Sequence, residues 1–197
     1  MKFSEMKYER PDLAAVKDEL HALTERLKAA RDYAEAREAF LAHEAAYIHM
    51  ETQATLASVR HTIDTRDEFY DAEETFWNAA TPELDAYEDA WKGTMLESPF
   101  RKEFAAEYGD LMFVNAEIAR KAFSPEIIPE SQQENDLSQA YSKLIASAQI
   151  PFEGGVYTLS QLSPFKNDPD DARRLAAWQA EGAWYKEHQA EFDDIYD

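Results

Sequence analysis

Seventy consecutive residues without glycine or proline, 12–81, constrain the fold of this chain more than any other feature. They are rich in Ala, Glu, Leu and Arg, which favour helix, and they lack the two residues that most often end one. Long helices are therefore expected in this region. In the first of them, apolar residues recur at spacings of three and four and form one stripe: Leu13, Val16, Leu20, Leu23 and Leu27.

Asp32 and Glu35 form a capping pair, which predicts that a second helix begins after a tight turn. The apolar stripe of this helix comprises Tyr33, Phe40, Tyr47 and Met50. Two helices joined by so short a connection are expected to pack as an antiparallel hairpin. A further capping pair, Thr65 and Glu68, predicts a break within 60–67.

Four later helices are predicted to begin where a short polar residue precedes proline, because the polar side chain can cap free N–H groups and proline fits the first turn. These pairs are Thr81-Pro82, Ser98-Pro99, Ser124-Pro125 and Asp168-Pro169. Ser131 with Glu134 predicts one more helix start.

The clearest strand signal lies at Gln149–Leu159, where Gly154-Gly155 separates two apolar runs as in a tight hairpin. One hairpin cannot form an independent sheet, so it is expected to lie on helices. The predicted fold class is all-α, mostly helical, with long antiparallel helix hairpins and one small β-hairpin near residues 149–159.

The last predicted helix, Pro169–Asp197, carries its apolar stripe at Leu175, Trp178, Tyr185, Phe192 and Tyr196. Its final turn holds three aspartates, and a carboxylate at the negative end of a helix costs about 0.3–1 kcal/mol when exposed. We therefore expect this helix to continue in a longer protein, the alternative being a genuine frayed terminus. A part without its partner domain should expose apolar residues such as Trp184, Phe192 and Ile195, which favours self-association.

The chain has forty acidic and twenty basic residues, a net charge of −20. This charge repels nucleic acid and anionic membranes, so binding to either is not expected. It serves solubility or, alternatively, attracts cationic peptides. The absence of cysteine excludes disulfides, thiol catalysis and zinc–thiolate sites. No apolar run has the length of a signal-peptide core or of a membrane span, and a cytoplasmic protein is expected.

A zinc peptidase motif needs two histidines four residues apart to bind one metal, with a glutamate between them as base. The sequence His43-Glu44-Ala45-Ala46 begins that pattern, but Tyr47 occupies the second ligand position, so we expect His43 to be structural. Asp18-Glu19-Leu20-His21 is a single, incomplete pair of the di-iron type. No constellation supports catalysis alone, and no catalytic, cofactor-binding or metal residue is assigned.

One charged cluster admits two interpretations. Its members are Arg60, Asp64, Arg66, Asp67 and Asp71. Arg60 and Asp64 have the spacing of an ordinary helix-surface pair, which contributes roughly a few tenths of a kcal/mol. The cluster either joins two helices or orders one wall of a substrate channel.

Five segments carry a family resemblance. They are MKFSEMKYERPDL at residues 1–13, ATLASVRHTIDTRDEFYDAEETF at 54–76, LESPFRKEF at 96–104, FSPEIIPE at 123–130 and LIASAQIPFEGGVYTLSQLSPF at 144–165. In these segments the chain resembles the N-terminal region of the oligoendopeptidase F family, relatives of thimet oligopeptidase. The resemblance extends over 1–197, and its motifs are scaffold motifs, not catalytic ones.

The resemblance implies a zinc metallopeptidase that cleaves oligopeptides in a cleft between helical lobes. In that family a His-Glu-x-x-His helix and a downstream Glu bind zinc, and the motif Glu is the general base. No position here matches them, so zinc is expected only in the full-length enzyme. The chain alone is expected to be inactive and to form one wall of the cleft. Its expected partners are oligopeptide substrates and the missing C-terminal catalytic domain.

On this basis residues 1–197 form the N-terminal helical region of a larger peptidase, with a helical hairpin layer at 1–122. Residues 123–197 then contain a helix, the β-hairpin and a truncated helix, and the catalytic zinc domain is absent. The alternative is a self-standing, non-catalytic helical binding or assembly module. A di-metal carboxylate bundle is a third hypothesis, which bound iron, zinc or manganese would support.

Overall fold

The computed structural model describes residues 2–197, and the chain is 79% helical. The nine α-helices of these residues are α1 Leu13–Lys28, α2 Tyr33–Ile63, α3 Glu68–Glu97, α4 Arg101–Tyr108, α5 Leu111–Ala122, α6 Ile128–Ala146, α7 Leu159–Lys166, α8 Asp171–Glu187 and α9 Gln189–Tyr196. Strands β1 Ile150–Phe152 and β2 Gly155–Tyr157 form a two-stranded antiparallel sheet. The predicted fold class, all-α with one small β-hairpin, is confirmed.

The chain divides into two compact units, Met1–Gln133 and Glu134–Asp197. From the sequence we expect the chain to divide into two parts at 122/123, and this domain boundary stays a prediction. None of the helices in residues 2–197 combines the length and apolar character that a membrane span requires.

In the first unit, α1 and α2 form the predicted antiparallel hairpin. Asp32 caps α2 by accepting a hydrogen bond from the Glu35 N–H at 2.9 Å. Leu27 at the end of α1 belongs to the same buried cluster as Ala36 at the start of α2. Leu20, about two turns earlier in α1, packs instead in the cluster of Met50 and Ala57. The stripe predicted for α1 therefore faces the core along its length.

The predicted break between α2 and α3 lies at residues 64–67. Its capping residue is Asp67, not Thr65, because the Asp67 carboxylate accepts hydrogen bonds from the Phe69 and Tyr70 N–H groups at 3.0 and 3.2 Å. The capping pair predicted from Thr65 and Glu68 is therefore wrong by two residues.

Thr81-Pro82 does not begin a helix, since Pro82 lies inside the continuous α3. A proline within a helix costs about 3 kcal/mol because one backbone hydrogen bond is lost and the ring crowds the preceding turn. Packing offsets this cost: Ala80 and Leu84, on either side of Pro82, are both buried in one core cluster. In the same turn of α3, the Ala79 carbonyl accepts a hydrogen bond at 2.7 Å from the side chain of Gln132, a residue of another helix.

Of the other predicted starts, only Ser124 caps a helix as expected, the 3₁₀-helix Pro125–Ile127. Ser98 ends α3, and α4 begins at Arg101 after a turn. The cap of α8 is Asp170, two residues after Asp168, which instead accepts a hydrogen bond from the Asp170 N–H. Ser131 does not start a helix, because α6 has begun at Ile128.

In the second unit the hairpin pairs Ile150 with Tyr157 and Phe152 with Gly155. The two turn residues are Glu153 and Gly154, with φ of 47° and 81°. Both lie in the left-handed region, which a two-residue turn of this type requires. The turn therefore comes one residue earlier than the turn predicted at Gly154-Gly155.

The predicted last helix is in fact two helices, because His188 interrupts it between α8 and α9. Nδ1 of His188 lies 2.9 Å from the Trp184 carbonyl oxygen, and its ring stacks on Trp184. The interruption allows Phe192 and Ile195 of α9 to pack on the core of this unit.

The expected buried face of α8 is also wrong. Ala177 and Trp184 are the buried residues of this helix, whereas Leu175 and Trp178 are more than half exposed. Trp184 is therefore a core residue and not part of an uncovered apolar surface. Burial next to Ile150 and Leu162 selects the face of α8, and a helix rich in alanine gives a weak signal of its own.

Candidate functional site

His43 is a buried residue of the first unit, and its ring is parallel to two neighbouring aromatic rings. Its side chain is 1% exposed, and its ring stacks on Trp91 with a centroid distance of 3.8 Å and an interplanar angle of 2°. Tyr47, one turn along α2, lies parallel to it at 6.2 Å. The Tyr47 hydroxyl donates a hydrogen bond to Glu51 at 3.0 Å. These contacts are those of a core histidine.

The residues of the incomplete motif do not fit a zinc ion. Tyr47 stands where a second imidazole would be required, and burial, aided by the charge of Glu88, raises the pKa of its phenol. Within residues 2–197 no three His, Cys, Asp or Glu side chains are grouped so that they could hold a metal. Asp18 and His21, the other pair considered, are both exposed on α1.

Glu88 of α3 lies beside His43 in the core. The His43 Nε2 and Glu88 Oε1 atoms are 3.1 Å apart, and the two side chains are 1% and 7% exposed. Neither atom has hydrogen-bonding geometry with a partner, so the contact is electrostatic. Burial disfavours the charged imidazole, but Glu44 and Glu88 outweigh it and raise the pKa of His43.

Two adjoining cavities run along α3 and form what we call the α3 groove. One, of about 360 Å³, has an apolar wall of Phe40, Trp91, Met95, Met112 and Phe113, and also contacts Glu44 and Glu88. The other, of about 340 Å³, is lined by Pro82, Asp85, Asp89 and Phe123 among others. Both include Lys92 and Ala119, which makes them neighbours.

The electrostatics of the α3 groove are acidic. Four carboxylates line it against one ammonium group, that of Lys92. Asp89 is paired with Arg120 at 3.1 Å. Burial raises the pKa of Asp85, with Lys92 opposing and Glu88 adding to the shift. Such a surface can bind an extended apolar chain that carries positive charge.

A second buried carboxylate, Glu73 of α3, holds the N-terminal segment in place. Arg10 donates two hydrogen bonds to it, from Nε at 2.8 Å and from Nη2 at 2.7 Å, and the Tyr8 hydroxyl donates a third. The hydrogen bonds from Arg10 lower the pKa of Glu73 despite its burial. Burial and the bond to Glu73 raise the pKa of Tyr8 to about 12. The Trp77 N–H donates to the Tyr8 hydroxyl at 3.1 Å.

The charged cluster that we singled out is divided by the structure. Arg60 donates to the Tyr70 hydroxyl at 2.7 Å and to the Met6 carbonyl, which joins α2, α3 and the N-terminal segment. Asp71 lies 3.3 Å from Nε2 of the buried His61. Arg66 pairs with Asp64 at 2.9 Å in the exposed turn, and Asp67 caps α3. Arg60 and Asp71 thus link elements of the first unit.

Sequence reasoning missed Glu73 and Glu88 as the charged groups of the core. A signal for them exists on α3. Glu73 lies four residues before Trp77, and Glu88 lies four after Leu84 and three before Trp91, so both occupy the apolar face of the helix. Buried glutamates on such a face require partners, which the exposed Arg10 provides for Glu73 and the buried His43 for Glu88.

The family described as Peptidase M3 N-terminal domain matches residues 3–123. No protein of curated function matches the chain.

Three solved structures are similar over almost its whole length. One, titled PZ peptidase A with inhibitor 2, has a TM-score of 0.94 and 36% identity, covering 99% of this chain and 35% of that one. An X-ray structure titled as an oligoendopeptidase F has a TM-score of 0.95 and 38% identity, covering 100% and 35%. A third, titled as an oligoendopeptidase F from Bacillus anthracis str. Ames, has a TM-score of 0.95 and 33% identity, covering 100% and 36%. The chain thus spans about a third of the length of each.

Proposed function

Since the chain belongs to the M3 peptidases through their N-terminal domain, we propose that it is the scaffold and one wall of the substrate channel in a zinc-dependent oligoendopeptidase. The observation that carries this proposal is the similarity of the entire chain to one third of proteins titled as oligoendopeptidases. Oligopeptides are the proposed substrates, and hydrolysis of peptide bonds is the proposed reaction of the full-length protein.

The α3 groove supports a role in receiving peptides. Its apolar wall, formed by Phe40, Trp91 and Met95 among others, suits the side chains of an unfolded peptide. Its carboxylates, together with the net charge of −20, favour peptides with basic residues. On this proposal the 197 residues contribute binding and exclusion of folded proteins, while the chemistry belongs elsewhere in the protein.

Zinc is proposed as the cofactor of the full-length enzyme. The 197 residues contain no His-Glu-x-x-His sequence, and the histidine nearest to that pattern, His43, is buried and stacks on Trp91. We therefore assign the zinc ligands and the general base to the catalytic domain and none to this chain. The proposed location of the enzyme is the cytoplasm.

The test compares the natural full-length protein with the 197-residue chain in a quenched-peptide assay. The full-length protein is expected to cleave short peptides, to lose activity with a chelator and to regain it with zinc. The 197-residue chain with added zinc is expected to show no turnover. Chelator-sensitive cleavage by the purified 197-residue chain would contradict the proposal. A natural stop codon directly after Asp197 would instead favour a self-standing binding module.

A further inference from the structure

The face of α2 opposite its buried side carries no charge over about five turns. We call it the α2 seam, and its residues are Leu41, Ala45, Ile48, Thr52, Thr55 and Val59. They follow one another at alternating spacings of four and three. Leu41, Ile48 and Val59 are 43%, 58% and 38% exposed. The other side of α2 is buried against the core through Ala36, Phe40, His43, Met50 and Ala57.

An uncharged outward face is unusual for a helix at a protein surface, because solvent-facing positions normally carry charged residues. Charged residues make up 30% of this chain, yet the α2 seam contains none. The Thr52 hydroxyl donates to the Ile48 carbonyl at 2.7 Å, so its hydrogen bond is made within the helix. A helix whose two opposite faces both lack charge is typically covered on both.

The shape of the α2 seam fits a second helix. Ile48, Thr52 and Thr55 line a groove of about 290 Å³ together with Phe3 and Met6 of the N-terminal segment and with Glu51 and Leu56 of α2. Alternating spacings of three and four are those by which one helix packs along another, whereas a strand would follow a period of two. Glu44 and Glu51, seven residues apart, lie along one edge of the seam. A helix docked here would meet these carboxylates with basic residues.

We propose that the α2 seam is the docking site for an amphipathic helix from the part of the full-length peptidase outside these 197 residues. This inference rests on the proposed function, because it requires the remaining two thirds of the relatives' length to have a counterpart here. A second copy of the chain is a poorer occupant, since each copy brings a net charge of −20 to the interface.

Cysteine labelling of the full-length protein tests the proposal. The chain has no cysteine of its own, so single substitutions place a probe at chosen positions. Ile48→Cys and the smaller change Thr55→Cys lie in the α2 seam, and His49→Cys is the exposed control on the same helix. Maleimide modification of each site is followed by peptide mass spectrometry. A docked helix is expected to slow the maleimide modification of both seam cysteines by at least about tenfold relative to that of His49→Cys.

Three outcomes would overturn the proposal. Equal reactivity of the seam and control cysteines means that nothing covers the seam. Protection that disappears on dilution, in step with dissociation of an oligomer, identifies a second copy. A natural stop codon directly after Asp197 removes both this inference and the proposed function. If the enzyme cleaves peptides while the seam cysteines react as the control does, only the docking inference fails.

Discussion

The imidazole of His43 stacks on the ring of Trp91, and the carboxylate of Glu88 lies 3.1 Å from its Nε2. The nearby carboxylates of Glu44 and Glu88 favour the protonated ring against the effect of burial. The sequence indicates only that His43 is structural. The raised pKa of its imidazole depends on the contact with Glu88 of α3, which no local pattern contains.

The stability of the first unit should therefore depend on pH through His43. The pKa of His43 in the folded state is raised above the ordinary 6.5. The stabilisation that its protonated ring contributes is therefore complete below about pH 6.5 and is lost as pH rises through the raised pKa. Urea unfolding between about pH 6 and about pH 9 should show a free energy of unfolding that falls with pH. In Glu88→Gln, which removes the anion, the decline should be shallower. An unchanged slope in that variant would contradict this assignment.

Glu73 offers a second test at the scale of one residue. Glu73→Gln removes the charge that accepts two hydrogen bonds from Arg10 and one from Tyr8, and it should cost about 1–3 kcal/mol of unfolding free energy. The matched control is Glu83→Gln on the same helix, which breaks only the surface pair with Lys17 and should cost less than about 1 kcal/mol. Equal losses in urea unfolding would mean that Glu73 is not the anchor of the N-terminal segment.

At the scale of elements, capping residues predict helix starts well when nothing else competes with them. Asp32 and Ser124 cap helices where the sequence indicates. Thr81-Pro82 carries the same local signal but lies inside α3, because burial of Ala80 and Leu84 keeps the helix continuous. The difference lies in packing against α1 and α2, which residues distant in the sequence provide.

Two glycines of the second unit allow a paired prediction about its elements. Gly154 has a φ of 81°, where alanine costs about 1–2 kcal/mol, so Gly154→Ala should destabilise the hairpin. Gly182 lies in α8 with nothing within 4 Å of an added Cβ, so Gly182→Ala should stabilise that helix by about 0.5–1 kcal/mol. Chemical denaturation of the two variants should give shifts of opposite sign. Shifts of the same sign would contradict the turn geometry.

At the scale of the whole molecule, the dominant electrostatic term is the repulsion among the charges that give a net −20. Raising NaCl from about 0.05 M to about 0.5 M shortens the screening length from roughly 14 Å to roughly 4 Å. The melting temperature should therefore rise with salt, since exposed ion pairs contribute little that screening can remove. Potassium chloride at the same ionic strength should have the same effect. A fall in melting temperature would mean that the ion pairs outweigh the repulsion.

Local sequence signals predict the all-α class, the β-hairpin near residues 149–159 and the family to which the chain belongs. These features follow from local propensities, apolar spacing and motif segments, which neighbouring residues carry. Three features appear only in the folded chain: α3 continues through Pro82, His188 divides the last helix, and Glu73 and Glu88 are buried with partners. They escape prediction because burial and pairing depend on residues far apart in the chain, and packing against those residues can exceed a local preference of a few kcal/mol.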